Sequence, residues 1–333
     1  MGTRKKIRIG VIGAGGISQM THIPNLKDEA EAEIVALSDI DPTRAAMVAK
    51  RFEIPKWYDE PEQMLRRAKY DAVVIATPTI SHYPLCRFAL ETGADVFLEK
   101  PFTLNAAEAR RLVEIAELGD RILMVAMNHR FRDDTIHLKK LVTEGELGEL
   151  LSIRSGWLKR LGVWGSPYWF TNPKQAGGGV LMDLGVQMID LVLHLLNFPP
   201  VISISGAVSN KMLNLAVEDT ATAYFKFSNE ATFLLEVSWA SCAVEDIAYT
   251  YLSGSKGRAA LNPLKLVRRQ RNTVMQIAPP RLGNPIQIYH RSFKAEIAHF
   301  IDCVQKRIPP LSPAREAMTV MELVEGLYKS AAH

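Results

Sequence analysis

Apolar positions along the chain follow one rhythm up to about residue 126 and another beyond it. In the first stretch, short apolar runs at Ile7 to Ile12, Ile34 to Leu37, Ala72 to Ala76, Val96 to Leu98 and Ile122 to Ala126 predict strands. Apolar residues at helical spacing fill 16–29, 42–52, 60–69, 81–92 and 105–118 between them. Strands that alternate with helices in this way imply parallel βαβ units. Residues 1–126 are therefore expected to form an α/β domain around a doubly wound parallel sheet, which binds ligands at the carboxyl ends of its strands.

Beyond residue 126 the alternation stops. A helix near Asp134 to Thr143 ends at turns around Gly145 and Gly148, and a strand from Glu149 to Trp157 follows. Further strands are expected at 201–209, 219–227, 231–240, 246–253 and 257–261, with one long helix near 180–196 among them. Ser228, Asn229 and Glu230 separate two alternating segments that end at Phe227 and resume before Phe233, a hairpin signal that favours antiparallel pairing. Pro263, Pro279, Pro280, Gly283 and Pro285 make 262–290 read as a loop, and amphipathic helices near 292–306 and 313–331 close the chain. Residues 127–333 are expected to form an α+β domain with a mostly antiparallel sheet.

Composition narrows the function. A chain of 333 residues that is 47% apolar and 23% charged has room for two cores. Forty Lys and Arg against 36 Asp and Glu leave a net charge of +4, and the clearest basic run, Arg4, Lys5 and Lys6, lies at the N-terminus, so no nucleic-acid partner is expected. Cys86, Cys242 and Cys303 have neither metal-ligand nor Cys-x-x-Cys spacing, so neither a metal nor a disulfide framework is expected. No run of eighteen uninterrupted apolar residues occurs, and the basic N-terminus runs directly into a strand. Neither a membrane span nor a signal peptide is expected, and the default location is cytoplasmic.

The first strand turns into the first helix through Gly13-Ala14-Gly15-Gly16-Ile17-Ser18. Backbone amides at such a turn can approach a pyrophosphate if no side chain intervenes at Gly13 and Gly15. Ser18 holds the third glycine position, which mainly serves helix-strand packing. Glycine loops also make ligand-free turns, so context decides. Asp39 ends the second strand twenty-one residues beyond Ser18, where a carboxylate can accept hydrogen bonds from an adenosine ribose, although it can also simply start the next helix. Its charge favours NAD over NADP. Arg44, one helical turn on, is the residue that would admit NADP.

Four further stretches, Ala76-Thr-Pro-Thr-Ile-Ser-His82, Glu99-Lys-Pro101, Asn128-His-Arg-Phe131 and Gly177-Gly-Gly-Val-Leu-Met-Asp183-Leu-Gly185-Val-Gln187-Met-Ile-Asp190, together resemble the glucose-fructose oxidoreductase / inositol dehydrogenase / rhizopine catabolism (Gfo/Idh/MocA) family. Glu218-Asp219 and Leu327-Tyr-Lys-Ser330 extend the likeness over nearly the whole chain. The resemblance implies a Rossmann N-terminal domain and a large open sheet in the C-terminal domain. It places Thr77, Pro78, His82, Glu99, Lys100 and Asn128 beside the cofactor together with Gly13 to Ile17 and Asp39, although His82 could instead cap or pack a helix. Lys100 is the implied catalytic group, donating to the substrate oxygen and exchanging its proton. As a bare sequence feature it would be a solvated lysine. The Lys100–Pro101 bond could be cis.

Asp183, Gln187 and Asp190 fall at i, i+4 and i+7, so they can meet one ligand. The family's usual pair is aspartate and histidine, and here Gln187 replaces the histidine. An amide can position a hydroxyl but cannot carry its proton. The carrier therefore stays open among Lys100 and a tyrosine such as Tyr168, with a structural role favoured for His194. Trp157, Trp164, Tyr168 and Trp169 suit stacking on sugar faces and equally a core. Arg154, Lys159 and Arg160 receive no role.

The implied activity is reversible hydride transfer between nicotinamide and a hydroxyl-bearing carbon of a sugar, polyol or related small molecule. Two alternatives follow from the family's range: a dinucleotide-binding sensor without turnover, and a redox-neutral glycosidase that recycles bound NAD. A homodimer or homotetramer is expected, because an open sheet face needs covering.

Overall fold

A computed structural model describes residues 6–161, 169–271, 273–278 and 280–332. The chain divides into two compact units, Met1–Asn128 with Phe293–Thr319, and His129–Ser292 with Val320–His333.

The first unit is built on a six-stranded sheet. Its strands are β1 (Ile7–Ile12), β2 (Ala32–Ser38), β3 (Trp57–Tyr58), β4 (Ala72–Ile75), β5 (Asp95–Leu98) and β6 (Leu123–Val125). They lie in the order β3-β2-β1-β4-β5-β6, and each pairing is parallel. This is the doubly wound arrangement, with the order reversing between β1 and β4. Every residue of β4 and β5 is buried, as expected of strands covered on both faces. The two residues of β3 are too few to show in the apolar pattern.

Crossover helices α1 (Ile23–Asp28), α2 (Pro42–Arg51), α3 (Pro61–Arg67), α4 (His82–Glu91) and α5 (Ala106–Leu118) complete the unit's Rossmann half. The expected first helix over 16–29 is not uniform: Ser18–His22 forms a π-helical turn before α1 begins. Asp41 caps α2 through the Arg44 amide and Asn105 caps α5 through the Glu108 amide, so side-chain oxygens satisfy helix-end donors.

The apolar pattern implies a second domain continuous to residue 333, whereas Phe293–Thr319 belongs to the first unit. Phe300 packs its ring 5.4 Å from that of Phe97, Arg307 pairs with Asp95 at 2.6 Å, and the Ser312 carbonyl accepts from the Val125 amide. Amphipathic spacing marks the helix but does not say which core its apolar face joins.

In the second unit, α6 (Asp133–Thr143), β7 (Leu150–Arg160), α7 (Pro173–Ala176) and α8 (Val186–Leu196) precede a run of strands. These are β8 (Val201–Ser209), β9 (Thr220–Phe227), β10 (Thr232–Ser241), β11 (Ile247–Gly254), β12 (Gly257–Leu261), β13 (Lys265–Gln270) and β14 (Thr273–Ile277). The eight-stranded order is β14-β13-β12-β11-β7-β10-β9-β8, antiparallel except where β7 meets β10. The β9–β10 hairpin forms where expected, with Phe225 stacked on Phe233 at 4.9 Å.

Residues 262–290 are not the expected loop. They hold β13 and β14, and α9 (Pro285–Lys306) begins within them, ahead of the closing helix α10 (Ala314–Ala331). The described prolines and glycine of this stretch lie outside the two strands. The strands themselves are largely exposed and most of their apolar residues, Leu266 and Val267 in β13 and Val274 and Met275 in β14, are adjacent in sequence, so no apolar alternation betrays them.

The segment Pro173–Leu196 is long and apolar enough to cross a membrane by length and composition, yet 89% of its most apolar window is buried within the fold, as in a core helix. Ser155 of β7 reaches Met188 of α8, placing the sheet's inner face on this helix.

His194 on α8 is nine-tenths buried, and burial together with the charges of Arg130 and Lys139 pulls its pKa from 6.5 to about 3. The folded value lies below the unfolded one, so this contribution to stability is fully present above pH 6.5 and is lost as pH falls toward about 3. His194→Gln is expected to flatten the decline of stability between pH 6.5 and about 4, measured by urea titration at successive pH values. An unchanged decline would contradict this assignment.

Candidate functional site

Parallel pairing brings the carboxyl ends of β2, β1, β4, β5 and β6 to one edge of the first unit. In that order the edge carries Asp39, the glycine loop, Thr77 with Pro78, Glu99 with Lys100, and Asn128. Three strand spacings separate β2 from β5, or roughly 14 Å, which suits an extended dinucleotide.

Gly13 has φ +97°, and a Cβ there would lie 2.2 Å from the Ala76 carbonyl oxygen. The loop can rest against the end of β4 only without a side chain. At Gly15 a Cβ would meet open space, so this glycine leaves room for a ligand rather than serving the fold's own packing. Ser18 is buried and its hydroxyl donates to the Gly13 carbonyl at 2.5 Å, closing the loop on itself. These features fit a diphosphate against backbone amides.

Asp39 is buried and its carboxylate already gathers four donors: the amides of Ala14 (2.8 Å) and Asp41 (2.9 Å), and Arg44 through Nε (3.1 Å) and Nη2 (2.7 Å). Burial pushes its pKa up, but the Arg44 guanidinium and the two amides outweigh that and hold it below the ordinary carboxylate value. The negative charge that favours NAD is thus partly cancelled by a cation beside it.

At the end of β5, Glu99 is fastened by a residue that no sequence signal marks. His22, in the π-helical turn after the glycine loop, lies with Nε2 2.8 Å from Glu99 Oε1, while Oε2 accepts from the Lys100 amide at 3.0 Å. Burial raises the Glu99 pKa, yet His22 and Lys100 bring it below the ordinary value. The Lys100–Pro101 peptide is cis, as anticipated, and Asn262–Pro263 is a second cis bond.

His82 is fully buried. Its Nδ1 lies 2.9 Å from the Pro101 carbonyl and its Nε2 2.9 Å from the Thr77 carbonyl, so the ring ties together the turns after β4 and β5. Burial pulls its pKa down, against the pull of the two carbonyls. Of the proposed cofactor contacts, His82 therefore acts through the turns it joins. Thr77, Pro78, Glu99 and Lys100 are half-buried along the edge, and Asn128 is buried.

In the second unit, Asp183 lies in a π-helical turn, Leu181–Gly185, ahead of α8. The indole N–H of Trp239 donates to its Oδ2 at 3.0 Å. Gln187 turns its amide nitrogen back onto the Asp183 carbonyl at 2.9 Å. Asp190 does not join them. It pairs with Arg130 through Nε (2.8 Å) and Nη2 (2.5 Å), both side chains being buried. The i, i+4, i+7 argument assumes a regular helix, and the π turn shifts the register between Asp183 and Asp190.

His194, with its pKa near 3, does not take up a proton near neutral pH. Trp157 meets His129 edge-on at 5.6 Å and carries Lys159 over its face at 5.4 Å. Trp169 is more than a third exposed. Trp164 and Tyr168 lie outside the described residues. Among the described residues no cluster of His, Cys, Asp and Glu could hold a metal ion.

The fold and the edge of the first unit define a dinucleotide-binding oxidoreductase. Residues 7–127 match the model of the Gfo/Idh/MocA oxidoreductase family, described as an NAD-binding Rossmann fold, and residues 135–260 match the family's C-terminal domain. The chain belongs to this family, as its motifs implied.

D-Glucoside 3-dehydrogenase of Escherichia coli K12 is 29% identical over 346 residues, covering 99% of this chain and 96% of that protein. The scyllo-inositol 2-dehydrogenase (NAD(+)) of Bacillus subtilis 168 is 26% identical, covering 96% and 92%. An Agrobacterium radiobacter oxidoreductase solved with NAD+, L-tartaric acid and magnesium superposes with a TM-score of 0.86 at 23% identity, covering 99% and 97%. Levoglucosan dehydrogenase with NADH and L-sorbose superposes at 0.89 with 18% identity, covering 99% and 97%.

Removing the cation beside Asp39 should sharpen cofactor choice. Arg44→Ala is expected to raise the ratio of the NADP to the NAD dissociation constant about ten-fold, corresponding to about 1.4 kcal/mol. Titration calorimetry with each cofactor measures it, and an unchanged ratio would remove Arg44 from cofactor choice.

Proposed function

We propose that the protein catalyses reversible hydride transfer between NAD and a hydroxyl-bearing carbon of a sugar, polyol or related small molecule, with NADP as a weaker alternative. The observation that carries this reading is the order along one sheet edge, from the Asp39 carboxylate through the glycine loop to the Lys100 turn. NAD, when bound, supplies the hydride acceptor. Gly13, Ala14, Gly15, Gly16 and Ile17 hold the diphosphate, Asp39 the ribose, and Thr77, Pro78, Glu99 and Asn128 line the way to Lys100. Lys100 donates a hydrogen bond to the reacting oxygen and exchanges its proton, while Asp183 and Gln187 hold substrate hydroxyls.

The relatives' names cover different carbons of different sugars and polyols, which supports the substrate class and leaves its member to experiment. Lys100→Met is expected to cut turnover by about 10² to 10⁴, the usual worth of a proton-transferring group, with NAD affinity retained. A panel of sugars and polyols followed by reduced-nicotinamide absorbance measures turnover, and calorimetry measures affinity. Near-normal turnover in the variant would end the assignment.

The same reading makes the protein a homodimer or homotetramer. Tyr224 (36% exposed), Leu234 (45%) and Tyr251 (51%) lie on β9, β10 and β11, adding apolar area to the open sheet. Large exposed apolar surfaces favour association. Leu234→Arg is expected to yield monomers by light scattering, whereas a wild-type monomer would sink this part. The reading also puts the protein in the cytoplasm, where an exposed free thiol such as Cys242 stays reduced, with neither nucleic acid nor membrane as partner.

A further inference from the structure

We propose that Trp239 is a positioning residue that aims the Asp183 carboxylate, on a platform fixed by Glu218 and Tyr328; this rests on the reading of Asp183 as a substrate-holding group. Three stretches that the activity had not absorbed meet here: Gly177 to Gly179, Glu218-Asp219, and Tyr328 near the end of α10. One oxygen of Glu218, Oε1, accepts from the Gly179 amide (2.9 Å), the Leu181 amide (3.0 Å) and the Tyr328 hydroxyl (2.7 Å). The Glu218 carbonyl accepts from the Val180 amide at 2.9 Å. A carboxylate thus satisfies orphan donors at the start of the segment that carries Asp183.

The glycines are fitted to this platform. A Cβ at Gly179 would lie 2.0 Å from the Glu218 carbonyl oxygen, and one at Gly178 would lie 2.1 Å from the Tyr328 hydroxyl. Asp183 follows within one turn, its amide donating to the Gly179 carbonyl at 3.1 Å. Its backbone is therefore set by Glu218 and Tyr328, and its carboxylate by the Trp239 indole at 3.0 Å. Trp239 is 1% exposed, and Phe170 packs edge-on against it at 5.7 Å, so the indole has little freedom to swing. A hydrogen bond to a charged group in such a place is stronger than a neutral one.

The test is a double-mutant cycle in the full-length protein loaded with NAD, using the best substrate from the sugar and polyol panel. Trp239→Phe keeps most of the ring volume and removes the donor. We expect about a ten-fold loss in kcat/KM, carried mainly by KM, with NAD affinity and thermal midpoint near wild type. Trp239→His restores a ring N–H and should recover part of the loss. Asp183→Asn alone should lower kcat/KM, and adding Trp239→Phe to it should cost little more.

An equal Trp239→Phe loss in both backgrounds would overturn the inference, as would wild-type kinetics for Trp239→Phe while Asp183→Asn is impaired. Unimpaired Asp183→Asn would instead sink the reading of Asp183 itself. If Trp239→Phe fails to fold, Tyr328→Phe tests the platform by the same cycle, with an additive loss counting against it.

Discussion

The contact between the Gly13 backbone and the Ala76 carbonyl is the constraint on which the rest of the first unit depends. At φ +97° and with the Ala76 carbonyl oxygen 2.2 Å from where a Cβ would lie, no L side chain fits without strain and collision. That close approach lets the loop leave β1 at the point where the strand order reverses. The loop then runs into the start of a helix, where an anion is stabilised by both the orphan donors and the dipole. Ser18 tightens the same bend from within, so the substitution at the third glycine position adds a hydrogen bond instead of loosening the loop.

From that bend, side chains that serve two partners tie together the elements along the carboxyl edge of the sheet. Asp39 accepts from the Ala14 amide of the loop and from Arg44 of α2, and so links the glycine loop to the helix after β2. His22, directly after the loop, holds Glu99, whose other oxygen holds the Lys100 amide. His82 joins the turns after β4 and β5 from beneath. The position of Lys100 is therefore a property of three elements packed together, and a change in the first helix can reach it through His22.

How much of this could be read from residues alone follows from the range of each interaction. The parallel sheet was legible because buried strands are continuous apolar runs, and the glycine loop because so tight a bend from strand to helix demands a residue without a side chain. The motifs carried the family, which the family models bear out. What could not be read was pairing across long separations. His22 and Glu99 are 77 residues apart, Glu218 and Tyr328 are 110 apart, and no local pattern connects them. Asp190 looked like a ligand residue by helical spacing, but Arg130, 60 residues earlier, takes its carboxylate. The β13–β14 hairpin carries no such signal because exposed strands need no apolar alternation.

The replacement of the family's usual histidine by Gln187 bears on how the oxygen's proton is handled. Gln187 has its amide nitrogen turned onto its own helix, so it is an orienting group at most. His194 is held neutral by burial and by two neighbouring cations, which removes it as a carrier at ordinary pH. Asp190 is bound in a buried ion pair with Arg130, and breaking such a pair is costly. Among the described candidates, the proposed role of donating to an alkoxide and giving up a proton then falls to Lys100. What the structure supplies around it is bracing: a carboxylate fixed immediately before it that holds its amide, a buried imidazole bracing the turn just after it, and partial access at the sheet edge.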